Sequence, residues 1–165
     1  MYAMSLIFIL ASVVSCQTLE NGWKGIKPLH STKNEVDKVW GEPKIDDNGY
    51  YRYTTNDAYI QVNYATTPCK ENQYNRGKFS VSENTVLGYW INFNGSPEFP
   101  TLSSLQLDKT KYEKDTSGDT ILVYSYWERD DGIRLTVNET GNLLRVQTME
   151  FRPSKLDQEK FACKN

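Results

Sequence analysis

Ala58-Tyr59-Ile60-Gln61-Val62-Asn63-Tyr64 is the stretch on which the fold turns. Ile60, Val62 and Tyr64 fall on one side of an extended chain, and Tyr59, Gln61 and Asn63 on the other. That two-residue period is the mark of a strand with one covered face. Asn56-Asp57 just before it is a turn signal, and Tyr50 to Thr55 is rich in aromatic and β-branched residues, so the segment predicts a hairpin. Downstream, a polar loop from Ala65 to Asn84 carries Cys69. A third strand follows, in which Leu87, Tyr89, Ile91 and Phe93 alternate with Gly88, Trp90, Asn92 and Asn94. Gly95, Pro97 and Pro100 then break the pattern and place a half-way boundary.

Upstream the period changes from two to nearly four. Thr32-Lys33-Asn34-Glu35 fits a capping box, with Ser31 as the competing cap, and Val36, Val39 and Trp40 recur at helical spacing. Gly41 ends this short helix and Pro43 prevents its resumption. Asp47-Asn48-Gly49 turns the chain toward the hairpin.

The second half repeats the rhythm. A short apolar segment (Leu102, Leu105, Leu107) precedes a candidate strand at Lys111 to Lys114 and a polar turn at Thr116 to Asp119. Thr120 to Arg129, then Ile133, Leu135 and Val137, then Leu143 to Arg152 form a three-strand meander, turned at Asp130-Asp131-Gly132 and Glu139-Thr140-Gly141-Asn142. The tail from Ser154 to Lys164 predicts a helical turn anchored by Phe161 and Cys163. The expected class is α+β, a short helix packed on an antiparallel meander sheet, with a hint of two tandem helix-plus-three-strand units at 23–95 and 100–152. We expect one domain over 23–165, a linker at 16–22 and a signal peptide at 1–15.

The signal peptide rests on composition. Twelve of the first 15 residues are hydrophobic and none is charged. The apolar run Ser5 to Val14 is about half of the ~20 residues a membrane-spanning helix needs. It ends in Val13-Val14-Ser15-Cys16, an aliphatic residue, a small residue and a cysteine, which resembles a bacterial lipobox and makes Cys16 the lipidation candidate. The leader has no Lys or Arg before this run, and cleavage near Ser15 with Cys16 an incidental thiol is the alternative. The chain has three cysteines, so lipidating Cys16 leaves Cys69 and Cys163 as an even pair. A Cys69–Cys163 disulfide is expected, against the alternative of two free buried thiols.

Trp23 to Thr32, with Ile26-Lys27-Pro28-Leu29-His30-Ser31-Thr32, followed by Val36 and Gly41-Glu42-Pro43, resembles the opening of the SmpA/OmlA (BamE-like) group of small bacterial envelope proteins. The resemblance covers about 70 residues and implies a helix followed by a three-stranded sheet. Its tandem form is similar to the beta-lactamase-inhibitor-protein fold. The chain also resembles a group of secreted bacterial proteins with "W-x-x-I-x-P-L-H-S-T", "G-x-P", a "P-C" dipeptide, here Pro68-Cys69, and a cysteine near the C-terminus. The long Ala65 to Asn84 loop and the second half depart from the BamE-like pattern, so a shared partner does not follow from it.

Several chemistries find no footing in the sequence. Nineteen basic residues balance 21 acidic ones without a long run of either sign, which argues against a nucleic-acid partner. His30 is the single histidine, too few for a histidine metal cluster or a paired-histidine site. It reads as a residue bonding locally beside the helix cap. Asp46/Asp47 and Asp130/Asp131 sit next to turn glycines, where aspartate serves the turn. No glycine-rich phosphate loop is present. We therefore expect no enzyme activity, no cofactor and no metal.

The aromatic residues carry the functional reading. Tyr50, Tyr51, Tyr53, Tyr59, Tyr64, Tyr89, Trp90, Tyr124, Tyr126 and Trp127 fall on predicted strands. Packing on a half-buried sheet accounts for such residues. If Tyr59, Trp90, Tyr124 and Tyr126 face solvent, they make a candidate binding face. The expectation is a cell-envelope lipoprotein that acts as a protein-interaction or scaffold module. It would be held at the periplasmic or outer membrane by a lipid anchor and would meet an envelope or secreted protein. The alternative is a freely secreted inhibitor or glycan-binding module.

Overall fold

Alternating apolar residues need a cover, and one short amphipathic helix is a natural one. In the computed structural model the described residues are 19, 22–45, 50–71, 77–93, 96, 100–105, 110, 112–116, 123–128, 130–140 and 143–164. The signal peptide at 1–15, Cys16 and the turn at 46–49 lie outside them.

The helix α1 spans Lys33–Trp40. The Glu35 carboxylate accepts the Thr32 backbone N–H at 2.7 Å and the Thr32 hydroxyl at 2.9 Å, which satisfies an otherwise orphaned donor. That backbone hydrogen bond, helped by the hydroxyl, lowers the Glu35 pKa. At the other end Gly41 takes φ 82 and its N–H reaches the Asp37 carbonyl at 2.9 Å.

Eight strands follow: β1 Lys44–Ile45, β2 Tyr51–Thr54, β3 Tyr59–Tyr64, β4 Val86–Asn92, β5 Glu113–Thr116, β6 Val123–Glu128, β7 Ile133–Thr140 and β8 Leu143–Phe151. The helix α2, Lys155–Phe161, closes the chain. All eight strands join one antiparallel sheet in the order β1-β2-β3-β4-β8-β7-β6-β5. Each half is thus a meander that runs inward from an outer edge, and the last strands of the two halves pair at the centre. The α+β class is as expected, but each half has four strands rather than three. The extra strand in each case is the outermost: β1, which the sequence did not suggest, and β5, which overlaps the candidate strand at Lys111 to Lys114 over Glu113 and Lys114. Each is short and paired on one side, so the alternation that identifies a covered strand is missing. Among the described residues the second half has no α-helix ahead of its strands. Turns at 101–105 stand there, with Leu102 and Leu105 buried.

One face of the sheet holds the core. Ile60 pairs with Tyr53 and Ile91, Ile91 with Met149, and Met149 with Leu135. One pleat along, Val62 pairs with Tyr89, Tyr89 with Phe151, and Phe151 with Ile133. Val36 and Trp40 of α1 join the same buried cluster, as do Leu19, Ile26, Leu102 and Leu105. Burying a side chain such as Val36 contributes about 1.5 to 3 kcal/mol, so this stripe is what docks a helix too short to stand alone.

Leu19 is 3% exposed, so the packed body begins inside the stretch expected to be a linker. The Gly22 N–H donates to the Leu19 carbonyl at 2.8 Å. Gly22 has φ +76, and a Cβ there would stand 1.7 Å from the Ile26 carbonyl oxygen, so only glycine lets the chain turn this close. The segment is then pinned by Tyr89. Its hydroxyl donates to the Ile26 carbonyl at 2.7 Å and accepts the Trp23 N–H at 2.8 Å.

The loop after β3 is more than polar spacer. Phe79 and Val81 form a second buried cluster with Leu29, Ala65 and Leu87, against which Phe161 of α2 packs. Cys69 and Cys163 are joined by a disulfide, with their Cα atoms 5.7 Å apart. The Ser80 N–H donates to the Phe161 carbonyl at 2.7 Å, and the Cys163 N–H to the Lys78 carbonyl at 3.1 Å. The covalent link is compatible with an exported protein.

Candidate binding face

The period of two that buries Ile60 and Val62 delivers Tyr59, Gln61 and Asn63 to the opposite face of the sheet. Register extends that face across every strand. Lys44 pairs with Arg52, Arg52 with Gln61, Gln61 with Trp90, Trp90 with Glu150, Glu150 with Arg134, Arg134 with Trp127, and Trp127 with Glu113. With strands about 4.8 Å apart, such a row is about 34 Å long. A parallel row runs from Thr54 through Tyr59, Asn92, Thr148, Thr136 and Ser125 to Asp115. None of the described side chains in these rows belongs to either buried cluster.

Tyr59 and Trp90 lie side by side here, both half-buried, with ring centroids 6.4 Å apart and planes at 73°. The Arg52 guanidinium sits 5.8 Å from the Tyr59 ring, within cation–π range. Toward the centre, Glu150 accepts from Arg152 Nε at 2.8 Å and lies 2.7 Å from Arg152 Nη2. Asn63 pairs with Gly88, which leaves a notch without a side chain beside it, and Asn63 Nδ2 has no hydrogen-bond partner. The result is an aromatic patch flanked by guanidinium, carboxylate and amide groups, with no aliphatic side chain among the described residues of the two rows. Such a composition suits the contact of a partner by stacking and directional hydrogen bonds.

The four residues expected to share a binding face do not all do so. Tyr59 and Trp90 are together. Tyr124 pairs with Val137 and Tyr126 with Leu135, register positions on the face that holds the core, and their side chains lie outside the described residues. The difference is one of phase. In β6 the register positions on the Trp90 side of the sheet are Val123, Ser125 and Trp127, and Trp127 is the aromatic residue whose strand position joins the Trp90 row. The apolar partners Val137 and Leu135, which alternate in β7, were the signal that fixes this phase.

His30 does not bond beside the helix cap. Its Nε2 lies 2.8 Å from Asp157 Oδ1, 127 positions away on α2, and its ring meets Phe161 edge-on at 5.5 Å. Asp157 is 7% exposed. Its Oδ2 accepts from the Ser154 hydroxyl at 2.9 Å and lies 3.7 Å from Lys27 Nζ. Burial works to raise the Asp157 pKa, but the hydrogen bonds from His30 and Ser154 and the charges of His30 and Lys27 together hold it below the usual value. The sequence did carry a signal for this group, since Ser154-x-x-Asp157 is a helix-start pattern. Histidine, aspartate and serine are present, but both Asp157 contacts run to the carboxylate. A nucleophilic triad instead needs the serine on the histidine. The arrangement holds α2 to the 27–30 segment.

A second polar group sits under α1. The Tyr53 hydroxyl donates to Asp37 Oδ1 at 2.8 Å and is 2.7 Å from the Tyr64 hydroxyl, while Lys33 Nζ is 2.6 Å from Asp37 Oδ2. Burial, with its hydrogen bonds to Tyr64 and Asp37, raises the Tyr53 pKa. Burial also raises that of Tyr64, so both phenols stay neutral. This cluster ties the helix to the sheet. Among the described residues no group of three or more His, Cys, Asp or Glu side chains is placed to hold a metal ion. No protein-family profile, characterised protein or solved structure matches the chain.

Proposed function

We propose that the chain is a non-catalytic module of the cell envelope, tethered through Cys16, that holds a protein partner against the Tyr59–Trp90 face of its sheet. The observation that carries the reading is the aromatic pair itself. Tyr59 and Trp90 stand half-buried next to Arg52, on a face from which neither buried cluster draws any of the described side chains. Core packing takes up Tyr53 and Tyr89, which are 0% exposed, whereas Tyr59 and Trp90 take no part in either buried cluster. Tryptophan, tyrosine and arginine are the residue types on which binding energy concentrates. The tether is supported by Val13-Val14-Ser15-Cys16, and an exported location by the Cys69–Cys163 bond.

The test is a photo-crosslinking amino acid placed at position 90 or 59 in cells that make the full chain, with position 158 on α2 as the control. A discrete adduct from 90 and 59 that is absent from 158 is expected, and Arg52→Ala should reduce its yield. Adducts of equal yield at all three positions, or none at 90 and 59, would sink the reading. A second reading, a freely secreted inhibitor or glycan binder, is favoured by the same aromatic pair. It requires a mature protein without acyl chains, which an intact mass would show.

A further inference from the structure

We infer that the domain does not stand off from its membrane but rests on it with the Leu19 end and the outer side of α2 against the lipid headgroups. The inference rests on lipidation of Cys16, as proposed above.

The argument starts from chain length. Leu19 is 3% exposed and belongs to the central core. Three peptide units separate it from Cys16. An extended chain spans at most about 3.6 Å per residue, so an acylated Cys16 lies within about 11 Å of a fixed point in the packed body. A domain of this size is about 35 to 40 Å across. With acyl chains in the bilayer and so short a tether, the Leu19 end is brought to the surface.

What stands at that end is the second observation. Leu19, Gly22, Lys27, Pro28, Ser154 and Asp157 border one small cavity, so the first turn of α2 adjoins Leu19. Leu156 lies in this turn and is 77% exposed, more than Val39 at 41% or Ile45 at 63%. Lys155 before it is exposed, as are Lys160 on the same helix and Lys24 near Leu19. An apolar side chain flanked by lysines suits a headgroup boundary, where the leucine leaves water and the ammonium groups stay hydrated or meet lipid phosphates. The buried Asp157 contacts with His30 and Lys27 hold this turn in place. Tyr59 and Trp90 lie on the sheet face opposite the one on which Tyr89 and the 23–26 segment pack, so the aromatic patch is left open to a partner.

The experiment uses the full chain expressed with its own leader, purified, weighed intact and reconstituted in vesicles of phosphatidylethanolamine with a minority of phosphatidylglycerol. Hydroxyl-radical footprinting read by mass spectrometry then compares it with the Cys16→Ala protein in the same vesicles. Leu156 modification is expected to fall about fivefold or more on the vesicle, as loss of water contact implies, with Ile45, Tyr59 and Trp90 unchanged. Leu156→Glu should restore labelling of Lys155 while the acyl chains keep the protein bound. Unchanged labelling of Leu156 in a protein whose mass shows the acyl chains would overturn the orientation alone, as would protection of Tyr59 and Trp90. A mass without acyl chains would overturn the tether and the orientation with it.

Discussion

Tyr89 shows how much one side chain can hold. It is fully buried, stacks on Phe151 with centroids 4.6 Å apart, and uses its hydroxyl twice, on the Ile26 carbonyl and the Trp23 N–H. Tyr89→Phe keeps the ring and leaves two backbone groups unpaired, at about 1 to 3 kcal/mol for each that stays dry. A loss of about 2 to 4 kcal/mol in urea unfolding is expected, and a loss under 0.5 kcal/mol would mean that the Trp23 turn is re-solvated without cost. Gly22→Ala should cost at least as much, because a Cβ collides with the Ile26 carbonyl at a positive φ. The sequence announced Tyr89 as a core position through its alternation, and the structure agrees. It did not announce the hydroxyl's task, because the partners lie 63 and 66 positions away.

At the scale of the element, α1 and α2 are both too short to be stable alone and are held by different means. α1 is docked by Val36 and Trp40 and by the Asp37 contact to Tyr53. α2 buries the carboxylate of Asp157 instead, and this makes its docking sensitive to acid. The folded pKa of Asp157 lies below its unfolded value, so its contribution is present above the unfolded carboxylate range and is lost as pH falls through the folded pKa. Amide exchange in α2 is therefore expected to accelerate relative to the central strands β4 and β8 as pH drops below about 4, after correction for the intrinsic rate. In Asp157→Asn that extra acceleration should vanish, with a loss of about 1 to 3 kcal/mol at neutral pH. An α2 whose opening relative to β4 and β8 does not change in acid would refute this. The elements most legible in the sequence were those with a covered face, β2 to β4 and β7 to β8, together with the capped helix α1. β1 was not, since two exposed residues carry no period, and neither was the phase of β6, which depends on which partner residues it meets across the ladder.

For the whole molecule, the decisive feature is that the two halves share one sheet and one core, while the chain end is tied back to the middle. Parity of the cysteines, with Cys16 set aside as the lipidation candidate, was enough to expect Cys69 with Cys163. The polar loop that carries Cys69 was less legible, because Phe79 and Val81 look incidental until Phe161 arrives to cover their cluster. The bond closes a loop over a sequence separation of 94, which in the chain-entropy account is worth about 4 to 5 kcal/mol against an unfolded chain. A domain of this size holds about 5 to 15 kcal/mol in all, so the bond is a large part of its margin. The double variant Cys69→Ser with Cys163→Ser is expected to melt about 8 to 20 °C lower, at about 2 to 4 °C per kcal/mol. The loss should be felt first in α2 and the 78–80 segment, which are hydrogen-bonded to each other and to Cys163. Amide exchange in the central pair β4–β8 should speed up only as far as global stability falls, because its register does not depend on the bond. An unchanged melting temperature in the double variant would mean that the second cluster holds the C-terminus unaided.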